Sequence, residues 1–215
     1  MYKVKEAICP DYEVRFSTSR IGDKELNYLY NIADCTINIA GNEGFGLTTA
    51  ESVMAETPII VNVTGGMQDQ CGFKWNVAPT NMNEQWEYLT ADDYKDIGSL
   101  HDWRKWEDKV THGEWVKPVW SRVQTMTGSV PTPYIIDDKV DVTEVSEAIR
   151  YWYDKGKEGR EKAGKAGREA FLGEVGLGVD NQNKCMADGI EKAIKNFKPK
   201  KSFYQFKNSK SLEKI

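Results

Sequence analysis

Two glutamates eight positions apart, Glu43 and Glu51, flank a short loop that contains Gly44 and Gly46. An ionised carboxylate accepts hydrogen bonds on both oxygens, and this suits the paired hydroxyls of a ribose or a hexose. The loop follows an apolar stretch and precedes a helical pattern, so its N–H groups lie at a helix N-terminus, where phosphate binds readily. The spacing therefore predicts a site for a sugar nucleotide.

Half of this motif also has a purely structural interpretation. Thr48 and Glu51 are three residues apart at a helix start, which is the spacing of a capping box, in which each side chain bonds the other's backbone N–H group. That interpretation does not account for Glu43, because a carboxylate in a loop ahead of two glycines has no capping role. The glycines permit a close approach of ligand to backbone, although alone they are a weak signal.

The elements around the motif alternate between strand and helix. Asp23 is predicted to cap the first helix, and the helix after the glycine loop is expected to end at Thr57, because Pro58 cannot continue it. This order is typical of a doubly wound parallel sheet, in which ligands bind at the carboxyl ends of the strands. The strands are predicted at residues 13–16, 35–40 and 59–63.

Residues 67–138 lose this periodicity and contain six of the seven tryptophans. We interpret them as an insertion, with two short helices predicted at residues 92–97 and 99–110. The tryptophans have two interpretations: a small core in a segment with little other apolar content, or a platform on which an acceptor sugar stacks. These tryptophans are Trp75, Trp86, Trp103, Trp106, Trp115 and Trp120.

The helical pattern returns after residue 140. Asp141 and Glu144 have the spacing of a capping box, and the apolar residues after them recur on one helical face. Further helices are predicted at residues 158–172 and 181–197. The lysine-rich end of the chain has two interpretations, a solvated, frayed tail or a segment whose aromatics dock on another domain. The predicted domain organisation is 1–66, 67–138, 139–197 and 198–215.

Composition narrows the class of protein. The chain has 215 residues, 40% of them hydrophobic, and a net charge of −4, so it can bury a core but has no overall basic character for nucleic acid. Its longest apolar stretch is far shorter than the ~20 residues that span a bilayer, so no transmembrane segment is expected. The scattered cysteines and the absence of a secretory signal favour a reducing cytoplasm. The cysteines are Cys9, Cys35, Cys71 and Cys185.

The motif resembles the E-x7-E signature of retaining GT-B glycosyltransferases, the group 1 or family 4-like enzymes of the glycogen synthase and mannosyltransferase type. The likeness covers residues 13–70 and, more weakly, 134–197. The resemblance implies a Rossmann-like α/β domain that binds a nucleotide-diphospho-sugar and transfers its hexose with retention of configuration. The matching stretches are Asp23-Lys24-Glu25-Leu26, Leu29-Tyr30, Ala33-Asp34, Thr57-Pro58-Ile59-Ile60-Val61 and Gly65-Gly66.

The same resemblance implies a role for each residue of the motif. Glu43 would be the catalytic residue, beside the transferred sugar, and Glu51 would hold the ribose. The family generally needs neither a bound metal nor a cofactor, because the nucleotide-diphospho-sugar is its donor substrate. The remaining donor-binding residues would line the sugar or face the diphosphate, with a hydroxyl from one of the threonines: Gly44, Phe45, Gly46, Leu47, Thr48 and Thr49.

The chain departs from the family in its basic residues. The pair that clamps the diphosphate in the family lies well before the motif, and here only 42 residues precede Glu43. Arg15, Arg20 and Lys24 lack the family's spacing, so none is assigned that role. The resemblance thus implies the second half of such an enzyme, which lacks the acceptor-binding domain and acts with a second chain or a missing amino-terminal domain.

Three interpretations of such a chain stay open: a fragment, a split subunit, or a protein that has lost catalysis. Activity of this chain by itself is not expected. The strand predicted at residues 13–16 would be an exposed sheet edge that a partner or a missing segment covers. The competing function is a noncatalytic sugar-nucleotide-binding or interaction module, and an epimerase or phosphorylase matches the motif less well.

Overall fold

The structure is a computed structural model that describes residues 2–8, 10–76, 86–88, 110–199, 204–208 and 211–214. The chain forms two compact units, Met1–Val175 and Gly176–Ile215. The domain boundaries predicted at residues 66, 138 and 197 stay predictions.

The first unit mixes helices with short strands. Its helices are α1 (Tyr2–Ile8), α2 (Asp23–Ile32), α3 (Leu47–Met54), α4 (Met67–Gln70), α5 (Val142–Asp154) and α6 (Gly156–Leu172). Its strands are β1 (Thr36–Asn38), β2 (Ile59–Asn62), β3 (Lys74–Asn76), β4 (Trp86–Tyr88), β5 (Val110–Thr111), β6 (Val116–Val119), β7 (Ser121–Ser129) and β8 (Thr132–Val140).

A small parallel sheet with the order β1-β2-β6 lies at the centre of this unit. In the central strand, Ile60 lies opposite Ile37 of β1 and Lys117 of β6. Every residue of β2 is buried, as expected for a parallel strand that is covered on both faces. The fold is therefore mixed α/β, in agreement with the coarse prediction, and the strands predicted around 35–40 and 59–63 are confirmed.

The third parallel strand, β6, lies inside the segment that sequence analysis assigned to the insertion. Its Pro118 lies opposite Val61 of β2, and it is an edge strand, the position in which a sheet tolerates proline. Trp115, just before it, is buried and meets the Phe171 ring edge-on at 6.1 Å, so this tryptophan belongs to the core. The helices predicted at 92–97 and 99–110, and most of their residues, lie outside the described ranges.

The strand predicted at residues 13–16 is wrong. These residues have no regular structure, and Val14 and its neighbours are largely exposed. Arg15 pairs instead with Glu13 at 2.7 Å on the surface. A strand needs a neighbour for its backbone groups, and no described strand pairs with this stretch. The exposed edge that was expected there is therefore not formed by these residues.

In the described residues of the first unit, two antiparallel sheets accompany the parallel one. The hairpin of β7 and β8 leaves the sheet directly after β6 and returns to α5, and a second sheet has the order β4-β3-β5. The hairpin turn at residues 130–131 falls in a stretch rich in glycine and proline, which favours reversal of the chain.

Helices α5 and α6 confirm the helical predictions after residue 140. The Asp141 carboxylate caps α5 by accepting a hydrogen bond from the Thr143 N–H at 2.6 Å. This hydrogen bond is the main reason why the pKa of Asp141 lies below its usual value. Trp152 of α5 and Ala163 of α6 pack with Ile60 and Val119 of the sheet, which gives the unit its core.

The second unit contains one long helix and a pair of strands. Helix α7 (Val179–Asn196) confirms the prediction for residues 181–197, and its apolar side chains are exposed within the described residues. Strands β9 (Tyr204–Asn208) and β10 (Ser211–Lys214) pair antiparallel. Residues 204–208 and 211–214 therefore have regular structure, contrary to the frayed-tail interpretation.

Candidate functional site

Two loops meet at the carboxyl ends of the parallel strands. Residues 39–46 connect β1 to α3 and carry Glu43, whereas residues 63–66 follow β2. The Gly66 N–H donates a hydrogen bond to the Glu43 carbonyl at 3.0 Å, which joins the loops. Ligands of open α/β sheets bind at this edge, so the predicted motif lies where such a site is expected.

Gly65 and Gly66 are required by the contact between these loops. A Cβ atom on Gly65 would overlap the Glu43 carbonyl oxygen, and one on Gly66 would overlap the carbonyl of Gly44 and lie 2.7 Å from the Phe45 Cα. Gly65 also has a φ of +48°, in the left-handed region that glycine adopts most easily. The glycine pair therefore holds the motif loop against the sheet.

The two glycines of the motif loop differ in what surrounds them. Gly46 has a φ of +86°, and a Cβ there would lie 2.8 Å from Thr49 Oγ1. Gly44 has no positive φ, is exposed, and has no described atom within 4 Å of where a Cβ would stand. The positive φ and the close contact thus require a glycine at position 46. Nothing in the described surroundings requires one at position 44.

Helix α3 begins at this loop without a side-chain cap. Its N-cap residue is Gly46, which supplies no side-chain hydrogen bond to the first turn. The capping-box interpretation of Thr48 and Glu51 is wrong, because Glu51 Oε2 accepts a hydrogen bond from the Tyr30 hydroxyl at 2.9 Å. Thr48 Oγ1 accepts one from Asn38 Nδ2 at 3.4 Å. Among the described residues, neither Gly46 nor the Thr48–Glu51 pair therefore caps the first-turn amides.

Glu51 faces a hollow between α2 and α3. The cavity has a volume of about 350 Å³, and Tyr30 holds the carboxylate at its wall. Tyr30 is itself buried, and Thr57 Oγ1 donates to its backbone carbonyl at 2.7 Å. Glu51 is exposed and could meet a ligand with its other oxygen. The lining residues are Asp23, Leu26, Asn27, Tyr30, Glu51, Met54 and Ala55.

The Tyr30 phenol is held in its neutral form. Burial, followed by the hydrogen bond to Glu51 and the charge of that carboxylate, raises the pKa of Tyr30 to about 12. The hydroxyl therefore stays a donor to Glu51 throughout the neutral pH range.

This pKa predicts a loss of stability at high pH. The unfolded chain gives up the Tyr30 proton near pH 10, whereas the folded chain keeps it to about pH 12, so the free energy of unfolding should fall between these values and be unaffected below pH 10. Urea denaturation across that range should show a smaller fall for Tyr30→Phe than for the wild type. Tyr28→Phe, exposed on the same helix, is the matched control. Equal pH dependence of all three proteins would contradict the assignment.

Glu43 lies apart from the hollow that Glu51 faces. Its side chain is half-buried and is not among the residues that line the cavity, whereas its backbone carbonyl is engaged by Gly66. The structure thus places both acids on the elements predicted for them, and it does not bring them together into one enclosed cavity.

Thr49 and Gln70 form a buried contact beneath the loop. Thr49 Oγ1 shares its one hydrogen between two acceptors, the Gly46 carbonyl at 2.8 Å and Gln70 Oε1 at 2.7 Å, and both Thr49 and Gln70 are fully buried. Thr48, in contrast, is exposed. Of the two threonines predicted to add a hydroxyl for the donor, Thr48 is the one at the surface.

Sequence analysis missed Asp138, a buried carboxylate behind the loop. It accepts hydrogen bonds from Thr64 Oγ1 at 2.6 Å and from Gln124 Nε2 at 3.0 Å. The Asp138 N–H also donates to the Gly41 carbonyl at 2.7 Å. Asp138 joins the hairpin to both loops, and no local pattern marks it because its partners lie far away in the sequence.

A larger cavity, of about 600 Å³, lies at the opposite edge of the sheet, before β1 and β2. Its wall includes the ion pair of Arg160 with Asp34, at 2.6 Å, and contains none of the predicted site residues. The loop edge is the candidate site, because the backbone groups that can bind a ligand lie there.

No protein-family model matches the chain, and no curated protein matches it either. Among the helices of the described residues, none has the length and apolar character to cross a membrane. Within the same ranges, no group of three or more histidine, cysteine, aspartate or glutamate side chains is placed to hold a metal ion.

Proposed function

We propose that the chain binds a nucleoside-diphosphate sugar at the loop between β1 and α3, as the donor-binding part of a retaining GT-B-type glycosyltransferase. The observation that carries the proposal is Gly44, whose surroundings leave space that no described part of the chain fills. A glycine beside an uncapped helix start permits a ligand to approach the backbone closely. The E-x7-E spacing around Gly44 indicates that the ligand is a sugar nucleotide.

On this proposal, each part of the donor has its own contact. Glu51, oriented by Tyr30, accepts hydrogen bonds from the ribose hydroxyls, and the amides of Leu47 and Thr48 face the diphosphate. Glu43 lies beside the transferred sugar and favours positive charge at its anomeric carbon. As the glycosidic bond breaks, the leaving diphosphate gains charge, and N–H donors already in place stabilise it.

We propose further that the parallel sheet belongs to a Rossmann-like domain and that the protein is located in the cytoplasm. The parallel sheet is part of a Rossmann-like domain, which is supported by the order helix, strand, loop, helix, strand of α2 to β2. The location is cytoplasmic, which is supported by the unpaired thiols Cys35, Cys71 and Cys185.

A second candidate is a noncatalytic sugar-nucleotide-binding module. It is favoured by the position of Glu43, which is not among the residues that line the hollow faced by Glu51, because a transferase needs both acids on one bound donor. If no cation meets the diphosphate, helix amides alone stabilise the leaving charge only weakly. Such a module would bind the donor and leave it intact.

The test is a titration of the chain with UDP-, GDP- and ADP-sugars. One of them should bind, and Glu51→Ala should weaken binding by about 1 to 3 kcal/mol, the usual cost of a lost charged hydrogen-bond partner. Glu43→Ala should weaken binding of the intact sugar nucleotide more than binding of the nucleoside diphosphate. Glu147→Ala, exposed on α5, is the matched control and should bind as the wild type does.

The outcomes separate the candidates. Equal donor binding by Glu51→Ala and the wild type would contradict the ribose assignment, and no binding of any sugar nucleotide would contradict both functions. Release of nucleoside diphosphate from a bound donor favours the transferase, because it requires cleavage of the glycosidic bond. Binding without release, even after the missing amino-terminal half is supplied, favours the noncatalytic module.

A further inference from the structure

The side chain of Gln70 lies directly beneath the motif loop. It is fully buried at the end of α4, and its Nε2 donates to the carbonyls of Phe45, at 2.5 Å, and Gly46, at 3.0 Å. Its Oε1 accepts the hydrogen bond from Thr49. One amide side chain therefore binds two successive peptide carbonyls of the loop.

These two hydrogen bonds also fix the direction of the N–H groups in the same two peptide units. A trans peptide group is planar, and its C=O and N–H bonds point in opposite directions. Because the Phe45 and Gly46 carbonyls point to Gln70, the N–H groups of Gly46 and Leu47 point away from it. Gly46 is itself buried, whereas Leu47 is exposed, so the Leu47 N–H is the one at the surface. The Gly46 carbonyl also accepts from the Ala50 N–H at 3.1 Å, which aligns the second unit with α3.

The loop needs such a constraint, because glycine adopts many backbone conformations. Backbone rotation at Gly44 or Gly46 would flip one of these two peptide units. Its carbonyl oxygen would then face the surface, where it would repel an anion. Gln70 is itself held, since its backbone carbonyl accepts a hydrogen bond from Trp115 Nε1 at 3.0 Å. A rigid contact thus extends from the buried Trp115 to the loop.

We infer that Gln70 is a positioning residue that holds the N–H group of Leu47 toward the diphosphate of the donor. This inference rests on the proposed function and adds to it a residue that the E-x7-E motif does not contain. Gln70 touches no part of the donor and acts only through the loop.

The experiment compares ligands with and without phosphate. Gln70→Met keeps the length of the side chain and removes both donated bonds. Its affinity for UDP, GDP or ADP, whichever the wild type binds, should fall about tenfold or more, as for loss of charge-assisted hydrogen bonds, while affinity for the matching nucleoside stays within about twofold. Cys71→Ala, fully buried next to Gln70, is the matched control and should retain both affinities.

Each result decides the inference. An unchanged affinity for the nucleoside diphosphate in folded Gln70→Met, or an equal loss for diphosphate and nucleoside, would overturn it and leave the proposed function intact. Failure of the wild type to bind any of the three nucleoside diphosphates would overturn the proposed function and the inference together.

A second measurement needs no variant. In amide NMR spectra of the wild type, the signal of Leu47 should shift on addition of the nucleoside diphosphate and stay in place with the nucleoside. Binding of the diphosphate without a shift at this amide would overturn the inference, even if Gln70→Met does not fold.

Discussion

Gly164→Ala is expected to destabilise the first unit by about 3 kcal/mol, the upper range for overpacking of a core. Gly164 is buried on α6, and a Cβ there would overlap the backbone carbonyl of Glu56. The overlap is with backbone, so no side-chain rotation relieves it. The free energy of unfolding, measured by urea denaturation, should show the loss.

The Glu56 backbone has little freedom to move away. It has a φ of +62° at the end of α3, where its N–H donates to the Val53 carbonyl at 2.9 Å and the Thr57 N–H donates to the Ser52 carbonyl at 3.0 Å. This pair of bonds is the Schellman arrangement that ends many helices. A shift of Glu56 would break the end of α3, so the added methyl group must displace α6 instead.

Gly159→Ala, on the same helix, is the matched control. A Cβ there meets only the flexible side chain of Lys155, at 3.3 Å. Alanine has a higher helix propensity than glycine by about 1 kcal/mol, so this variant should be as stable as the wild type or slightly more so. Equal stability of the Gly164 and Gly159 variants would show that α6 does not pack against the turn at Glu56 as described.

Gly44→Val is expected to lose donor binding and keep the fold. A Cβ at this position meets no described atom within 4 Å, so the free energy of unfolding should stay within about 0.5 kcal/mol, as for ordinary surface substitutions. On the proposed function, the side chain would occupy the space that the sugar fills. Affinity for the sugar nucleotide should fall about tenfold or more, at least roughly 1.4 kcal/mol.

Gly66→Ala provides the contrast at the same surface. Its Cβ would overlap the Gly44 carbonyl, so this variant should lower the free energy of unfolding as well as donor affinity. Calorimetric titration and urea denaturation of both variants separate the two effects. If Gly44→Val binds the sugar nucleotide with wild-type affinity, the space beside Gly44 no longer supports the proposed function.

Several elements of the fold are predictable from the sequence because local forces specify them. The spacing of its apolar residues predicts α2, Pro58 predicts that α3 ends before it, and Asp141 predicts the start of α5. Periodic burial and the absence of an N–H group on proline act within a few residues. The same reasoning fails for residues 13–16, because β-forming residues do not make a strand without a neighbour.

The position of the candidate site is also predictable, since a glycine loop between a strand and a helix must lie at a sheet edge. By itself, the sequence thus determined helices α2, α3, α5, α6 and α7, the strands β1 and β2, and the loop that carries Glu43 next to the helix that carries Glu51. Only the tertiary structure decided that β6 joins the sheet, that Tyr30 rather than a capping partner binds Glu51, and that Gln70 lies under the loop. These contacts join residues 20 or more positions apart, so their free energy depends on packing that no local pattern encodes.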